Sequence, residues 1–144
     1  MTLLVLDVSV AAKWFLLAEE PLKDQAMNLL ARSQEGEIEF IVPDLFWAEL
    51  GNVLCKAVRQ GRFTARAAEE SLRRSMVLEI PTVSSAELVE EAFVISQKYD
   101  RSFYDSLYVA LAVLQGSTLI TADEKLANAT AAYLPVKWIG SLSN

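Results

Sequence analysis

Two patterns of apolar residues divide this chain. Short unbroken runs such as LLVL (3–6) read as strands buried on both faces, and longer stretches with apolar residues three and four apart read as helices. The run LLVLD (3–7) predicts a first strand, and residues 9–20 a helix with Ser9 as N-cap and Pro21 as its stop. A helix over 23–34 closes at Gly36, and IEFIV (38–42) is the next strand. Pro43 and Asp44 start a long helix over 45–60 that ends at Gly61. Thr64 caps a polar, basic helix reaching about Met76, followed by a strand at VLEI (77–80) and an amphipathic helix over 86–99. Residues 103–115 are apolar nearly all round, which predicts a buried helix ending at Gly116. A strand at TLIT (118–121), a short helix after Asp123 and a last strand at VKWI (136–139) complete the chain.

Strands separated by helices require crossover connections, so the expected fold class is α/β with a mostly parallel sheet covered on both faces. No repeat, linker or low-complexity segment interrupts residues 1–144, and one domain is expected.

Composition narrows the chemistry. The chain is 53% hydrophobic and 22% charged, which fits a globular rather than a disordered protein. No apolar stretch is long enough to span a membrane. The apolar N-terminus contains Asp7 and Lys13 and lacks a basic start and a small-residue cleavage site, so no signal peptide is expected. The lone Cys55 excludes an intrachain disulfide, and a cytoplasmic location is expected. Histidine is absent, which removes histidine-based nucleophilic triads, histidine acid–base pairs and the usual zinc sites. Carboxylates remain, acting alone or around a hard cation such as Mg2+ or Mn2+.

Four carboxylates fall where a parallel α/β fold gathers function, beyond strand ends or on apolar helix faces. Asp7 ends the first strand, and Asp123 follows the fourth. Glu49 lies on the apolar stripe of its helix with Leu45, Phe46 and Val53, and Asp105 sits in the first turn of the most hydrophobic helix. Each has an ordinary alternative. Asp123 could cap the following helix, Asp105 could favour a helix N-terminus, Asp7 could cap jointly with Ser9, and Glu49 could be half exposed or pair with an arginine. For Asp44, straight after a proline, capping is the better explanation. Together the four are harder to dismiss, because buried carboxylates repel one another unless a cation neutralises them. Asp7 then reads as a ligand of that cation, in a site able to activate water and stabilise charge on a phosphoryl oxygen.

The segments LDVS (6–9), PDLFWAELGNVL (43–54), YDSLYVALA (104–112) and LITADEKL (119–126), in that order, resemble a PIN-domain ribonuclease and, more narrowly, a VapC-type toxin of a prokaryotic toxin–antitoxin pair. The resemblance covers essentially the whole chain. It implies a three-layer α/β/α sandwich and Mg2+- or Mn2+-dependent cleavage of single-stranded or looped RNA. Asp7, Glu49, Asp105 and Asp123 occupy the family's four acidic positions, with Asp7 and Asp105 as direct ligands. Glu49 would bind metal or orient a water, and Asp123 would act through water or on a second ion. Ser9 and Thr121 match small hydroxyl positions that hold the carboxylates, with ordinary capping an equal alternative for Ser9. Asn52 matches a frequent polar position. Asp100 and Glu124 are nearby acids, read as solvated. The resemblance also implies a cognate antitoxin whose C-terminal segment crosses the active site, and a homodimer.

A net charge of −6 argues at first against a polyanionic substrate. Assigning four of the 19 acids to one site leaves 15 against 13 basic residues, so distribution matters more than the total. Arg59, Arg62, Arg66, Arg73 and Arg74 form one basic stretch, with Lys13, Lys98 and Arg101 near the acidic motifs. These could contact phosphate; the alternative is a solvated helix face, which suits Arg73 and Arg74 at least as well. Tyr104, Tyr108 and Trp14 could stack on an unpaired base or pack in the core. Two competing functions are weaker. A phosphoacceptor receiver domain would want an acidic pair after the first strand and an aspartate after the third, and VLEIPTVSS (77–85) has none. A catalytically inactive PIN domain serving as a protein- or RNA-binding module would not need all four acidic positions filled.

Overall fold

The computed structural model describes residues 1–16 and 20–142. Strands β1 (Thr2–Leu6), β2 (Ile38–Pro43), β3 (Thr82–Val83), β4 (Thr118–Thr121) and β5 (Val136–Trp138) form one sheet in the order β3-β2-β1-β4-β5. Every pairing is parallel. Val5 lies opposite Ile41 on one side and Leu119 on the other, so β1 is the central strand. Its unbroken apolar sequence follows from that position, since a central strand in a covered sheet meets side chains on both faces.

Among the described residues seven α-helices cover the sheet: α1 (Val8–Phe15), α2 (Lys23–Gln34), α3 (Leu45–Arg59), α4 (Ala65–Val77), α5 (Val89–Tyr99), α6 (Phe103–Gln115) and α7 (Glu124–Thr130). The right-handed rule for parallel crossovers assigns α1 to α4 to one face of this strand order and α5 and α6 to the other. Helix α1 packs on α2 and α3, α3 packs on α4, and α6 lies across β1, β2 and β4. The arrangement is a three-layer α/β/α sandwich. Residues 106–112 of α6 are all buried, which accounts for a helix apolar nearly all round. Among the described residues no helix is long and apolar enough to cross a membrane, and Cys55 is an exposed free thiol.

The chain moves outward from β1 through β2 to β3, then returns to place β4 on the opposite side of β1. The crevice beyond the carboxyl ends of β1 and β4 is therefore the topological switch point, where parallel α/β sheets leave room for ligands. Asp7 follows one of these strands, and Asp123 stands two residues past the other.

Three local expectations are corrected. Residues 77–80 form no strand: α4 runs to Val77, Glu79 takes a left-handed conformation (φ 50°), and the strand forms after Pro81 at Thr82–Val83. Leu78 and Ile80 are apolar because they pack against the core, not because they pair. Helix α1 stops at Phe15, with Leu16 already extended, and the rest of the helix expected over 9–20 lies partly outside the described residues. Asp44 does not cap α3; its carboxylate instead accepts from the Ser85 backbone N–H and hydroxyl. That tie holds its carboxyl below the usual range and binds the start of α3 to the segment after β3.

Candidate active site

Asp7 is only 7% exposed, at the junction of β1 and α1. Its backbone is the N-cap of α1, yet its side chain makes no capping bond. Instead Oδ2 accepts from the Thr121 hydroxyl at 2.6 Å and the Ser9 hydroxyl at 2.8 Å. Both hydroxyls are anchored in turn. Ser9 Oγ accepts from Ala122 N at 3.0 Å, and Thr121 Oγ1 accepts from Asp123 N at 3.0 Å. The network joins the carboxyl ends of β1 and β4 and fixes one carboxylate oxygen. Among the described residues no donor reaches Oδ1. Ser9 thus holds a carboxylate rather than capping the helix.

Glu49 is half-buried on α3, where its Oε1 accepts from the Tyr108 hydroxyl at 2.6 Å. Tyr108 is 1% exposed on α6, so the bond ties α6 to α3. Burial and three nearby carboxylates push the Tyr108 phenol far above its usual range, so it remains a donor. Of the two roles its sequence allows, base stacking and core packing, Tyr108 takes core packing with a polar tip. The signal available was its place one helical turn after Asp105 on an otherwise apolar helix.

Asp105 is half-buried in the first turn of α6, where Ser102 Oγ caps its backbone N–H at 3.0 Å. Asp123 is exposed and caps α7, its Oδ1 accepting from Leu126 N at 3.1 Å. The capping reading of Asp123 therefore holds, alongside its place at the crevice. Asp100 and Glu124 are both exposed, as expected for solvated acids.

The four carboxylates act on one another. Burial raises the Asp7 carboxyl, the Ser9 and Thr121 hydroxyls pull it down, and the charges of Asp105 and Asp123 raise it further. Burial also raises Glu49, opposed by the Tyr108 hydrogen bond and reinforced by Asp7 and Asp105. Asp105 is raised by burial and then by Asp123, with Ser102 and Arg101 opposing. Among the described residues no lysine or arginine forms a salt bridge with any of the four; the ion pairs go to Glu20, Glu37 and Glu69. Crowded carboxylates without salt-bridge partners fit a hard divalent cation by donor chemistry. Among the described residues no three acidic side chains stand together as a ready cage. The arrangement thus suits an ion that takes one or two carboxylates directly and completes its shell with water, as Mg2+ commonly does.

Three of the basic candidates are engaged elsewhere. Lys13 (3.7 Å) and Arg62 (2.7 Å) both pair with Glu20, and Arg73 pairs with Glu69 at 2.6 Å on an exposed face. Arg101 stands out, because its charge is the cationic influence on Asp105. Trp14 is half-buried, packs on Phe40 and donates Nε1–H to Ala26 O at 2.8 Å, which settles it as a core residue. Tyr104, by contrast, is 60% exposed immediately before Asp105.

Residues 4–132 match the family model of the PIN domain. The chain is 32% identical over 126 residues to Ribonuclease VapC3 of Pyrobaculum aerophilum, covering 86% of this chain and 92% of that protein. Its fold is similar to that of Mycobacterium tuberculosis VapC20, described as a sarcin-ricin loop cleaving toxin (TM-score 0.65, 18% identity, 88% of this chain and 95% of that one). It is also similar to a chain of a toxin–antitoxin complex from Klebsiella pneumoniae (TM-score 0.61, 17% identity, 92% and 94% covered).

Proposed function

The chain belongs to the PIN domain family, and from that premise we propose that it is a metal-dependent endoribonuclease, the toxin of a VapBC-type toxin–antitoxin pair. The observation that carries this reading is the crevice itself. Asp7, Glu49, Asp105 and Asp123 lie around the crevice beyond β1 and β4 without closing into a cage, three of them raised by burial and by one another's charge, with no salt-bridge partner among the described residues. Such an arrangement is stable and useful when a cation completes it.

Asp7, through Oδ1, and Asp105 would hold Mg2+ or Mn2+ directly. Glu49, with Oε1 fixed by Tyr108, keeps its other oxygen to bind the ion or orient the attacking water. Asp123 keeps one oxygen beyond its cap and would act through water or on a second ion. When bound, the cation supplies charge stabilisation at a phosphoryl oxygen and makes a water more acidic. Hydrolysis of this kind leaves a 5′-phosphate and a 3′-hydroxyl.

The partners follow from the same reading. A cognate antitoxin would silence the crevice by sending a basic side chain among the carboxylates, and the resemblance to a chain of a toxin–antitoxin complex supports such a partner. Exposed Phe93 and Val94 on α5 offer apolar surface for a homodimer in the cytoplasm.

The test is cleavage of a mixed cellular RNA pool by the purified, partner-free protein in Mg2+ or Mn2+, in EDTA, and with Asp7→Asn. Discrete cuts that need both the ion and Asp7 support the ribonuclease. A folded protein that leaves the pool intact under every condition favours a binding module instead.

A further inference from the structure

A second cleft adjoins the carboxylates and shares Glu49 with them. It encloses about 330 Å3 and is walled by Val8, Leu45 and Val53, with Asn52, Glu49 and Tyr104 supplying its polar groups. That volume lies near the lower end of ligand clefts, ~300–1,000 Å3, and suits a small flat group rather than an extended one. No lysine or arginine lines it, and Glu49 would repel a phosphate there. An apolar wall, an exposed aromatic ring and an amide carrying both donors and an acceptor are instead the parts that recognise an unpaired base. Tyr104 has an explanation on these terms. Its ring is 60% exposed while Tyr108, on the same helix, is buried. Helix position places Tyr104 next to Asp105, and the cleft places it across from Asn52.

We infer that this cleft is a nucleobase subsite: it takes the unpaired base of a nucleotide bordering the cleaved phosphodiester, stacked on Tyr104 and read at its edge by Asn52. The inference rests on the ribonuclease reading of the adjoining carboxylates and adds to it a determinant of which RNA is cut. Stacking supplies affinity with little discrimination, because every base has a π-face, and the amide supplies the discrimination.

Two measurements test it. The first is the kcat/KM for a short single-stranded RNA bearing a mapped cut, together with the base profile around cuts in a randomised pool. Tyr104→Ala should lose about ten- to a hundredfold in kcat/KM, as expected for one lost base stack, while Tyr104→Phe keeps most of it. Asn52→Ala should flatten the base preference beside the cut. Mn2+ affinity should be the same in all three variants. The second measurement needs no cleavage: an oligoribonucleotide carrying 2-aminopurine is titrated with Asp7→Asn protein, with and without Tyr104→Ala. Fluorescence quenching that depends on Tyr104 supports the subsite, even if the wild-type protein proves unable to cut. Cleavage with unchanged kcat/KM and unchanged base profile in Tyr104→Ala overturns it and leaves the ribonuclease reading standing. Variants that cut normally but no longer bind an antitoxin peptide also overturn it, since the cleft would then belong to the protein partner. Because Tyr104 and Asn52 are exposed, neither substitution threatens the fold.

Discussion

Replacing Asp7 by asparagine should make the ion-free protein more stable, although it destroys the site. Asparagine is nearly the same size, and its amide oxygen can accept from Ser9 and Thr121 as Oδ2 does. What changes is charge. Two hydrogen bonds to a carboxylate become bonds to a neutral oxygen, which costs about 1 kcal/mol each. Against this, a carboxylate 7% exposed and facing two like charges loses a desolvation and repulsion penalty of several kcal/mol. Burial outweighs the hydroxyls, since the Asp7 carboxyl is raised overall. The net expectation is a gain of about 1–2 kcal/mol, or roughly 3–8 °C in Tm for a domain of this size. The assay is thermal unfolding at neutral pH in EDTA and then in Mg2+. Wild type should gain about 2.7 kcal/mol at Mg2+ a hundredfold above its Kd, and Asp7→Asn little or nothing. A variant less stable than wild type in EDTA, yet showing the wild-type gain in Mg2+, would refute both the electrostatic account and the ligand assignment.

Other expectations follow from the same geometry. Raised carboxyls at Asp7, Glu49 and Asp105 contribute stability below their unfolded values of 3.8 and 4.5, lost as pH rises through the folded values. Asp44 runs the other way, but its contribution fails only as pH falls below 3.8. Tm in EDTA should therefore climb as pH is lowered from neutrality toward the unfolded values, and Mg2+ should help most at the upper end; a flat series would count against the buried charges. Tyr108→Phe removes the 2.6 Å bond to Glu49 and should cost about 1–2 kcal/mol in urea unfolding, with a smaller cost when Glu49→Gln is already present. Thr121→Val strands Asp123 N and takes one donor from Asp7, so a loss of about 2–3 kcal/mol and weaker Mn2+ binding are expected, measured by unfolding and calorimetry.

Much of the molecule was legible along the chain because its signals are local. An unbroken apolar run marks a central strand, as in β1, and a helix apolar on every side marks one wedged between layers, as in α6. Strands alternating with helices fix a parallel sheet, and Asp7 and Asp123 stand out because charge just beyond a buried strand is costly without a partner. Where local signals were ambiguous, tertiary contacts decided. Apolar residues 77–80 look like a strand, but packing, not pairing, makes them apolar. Ser9 and Asp44 sit where caps belong, yet a buried carboxylate claimed one hydroxyl and Ser85 claimed the other side chain. Tyr104, Tyr108 and Trp14 each fit base stacking or, more commonly, core packing in sequence alone. The fold packed Trp14 against the core, gave Tyr108 to Glu49 and left Tyr104 at the cleft. Sequence thus determined the sheet and the inventory of carboxylates, because burial and periodicity are written residue by residue. Only the folded chain decided which hydroxyls hold those carboxylates and what lines the cleft beside them, because those partners lie up to 114 residues apart and meet only at the switch point of the sheet.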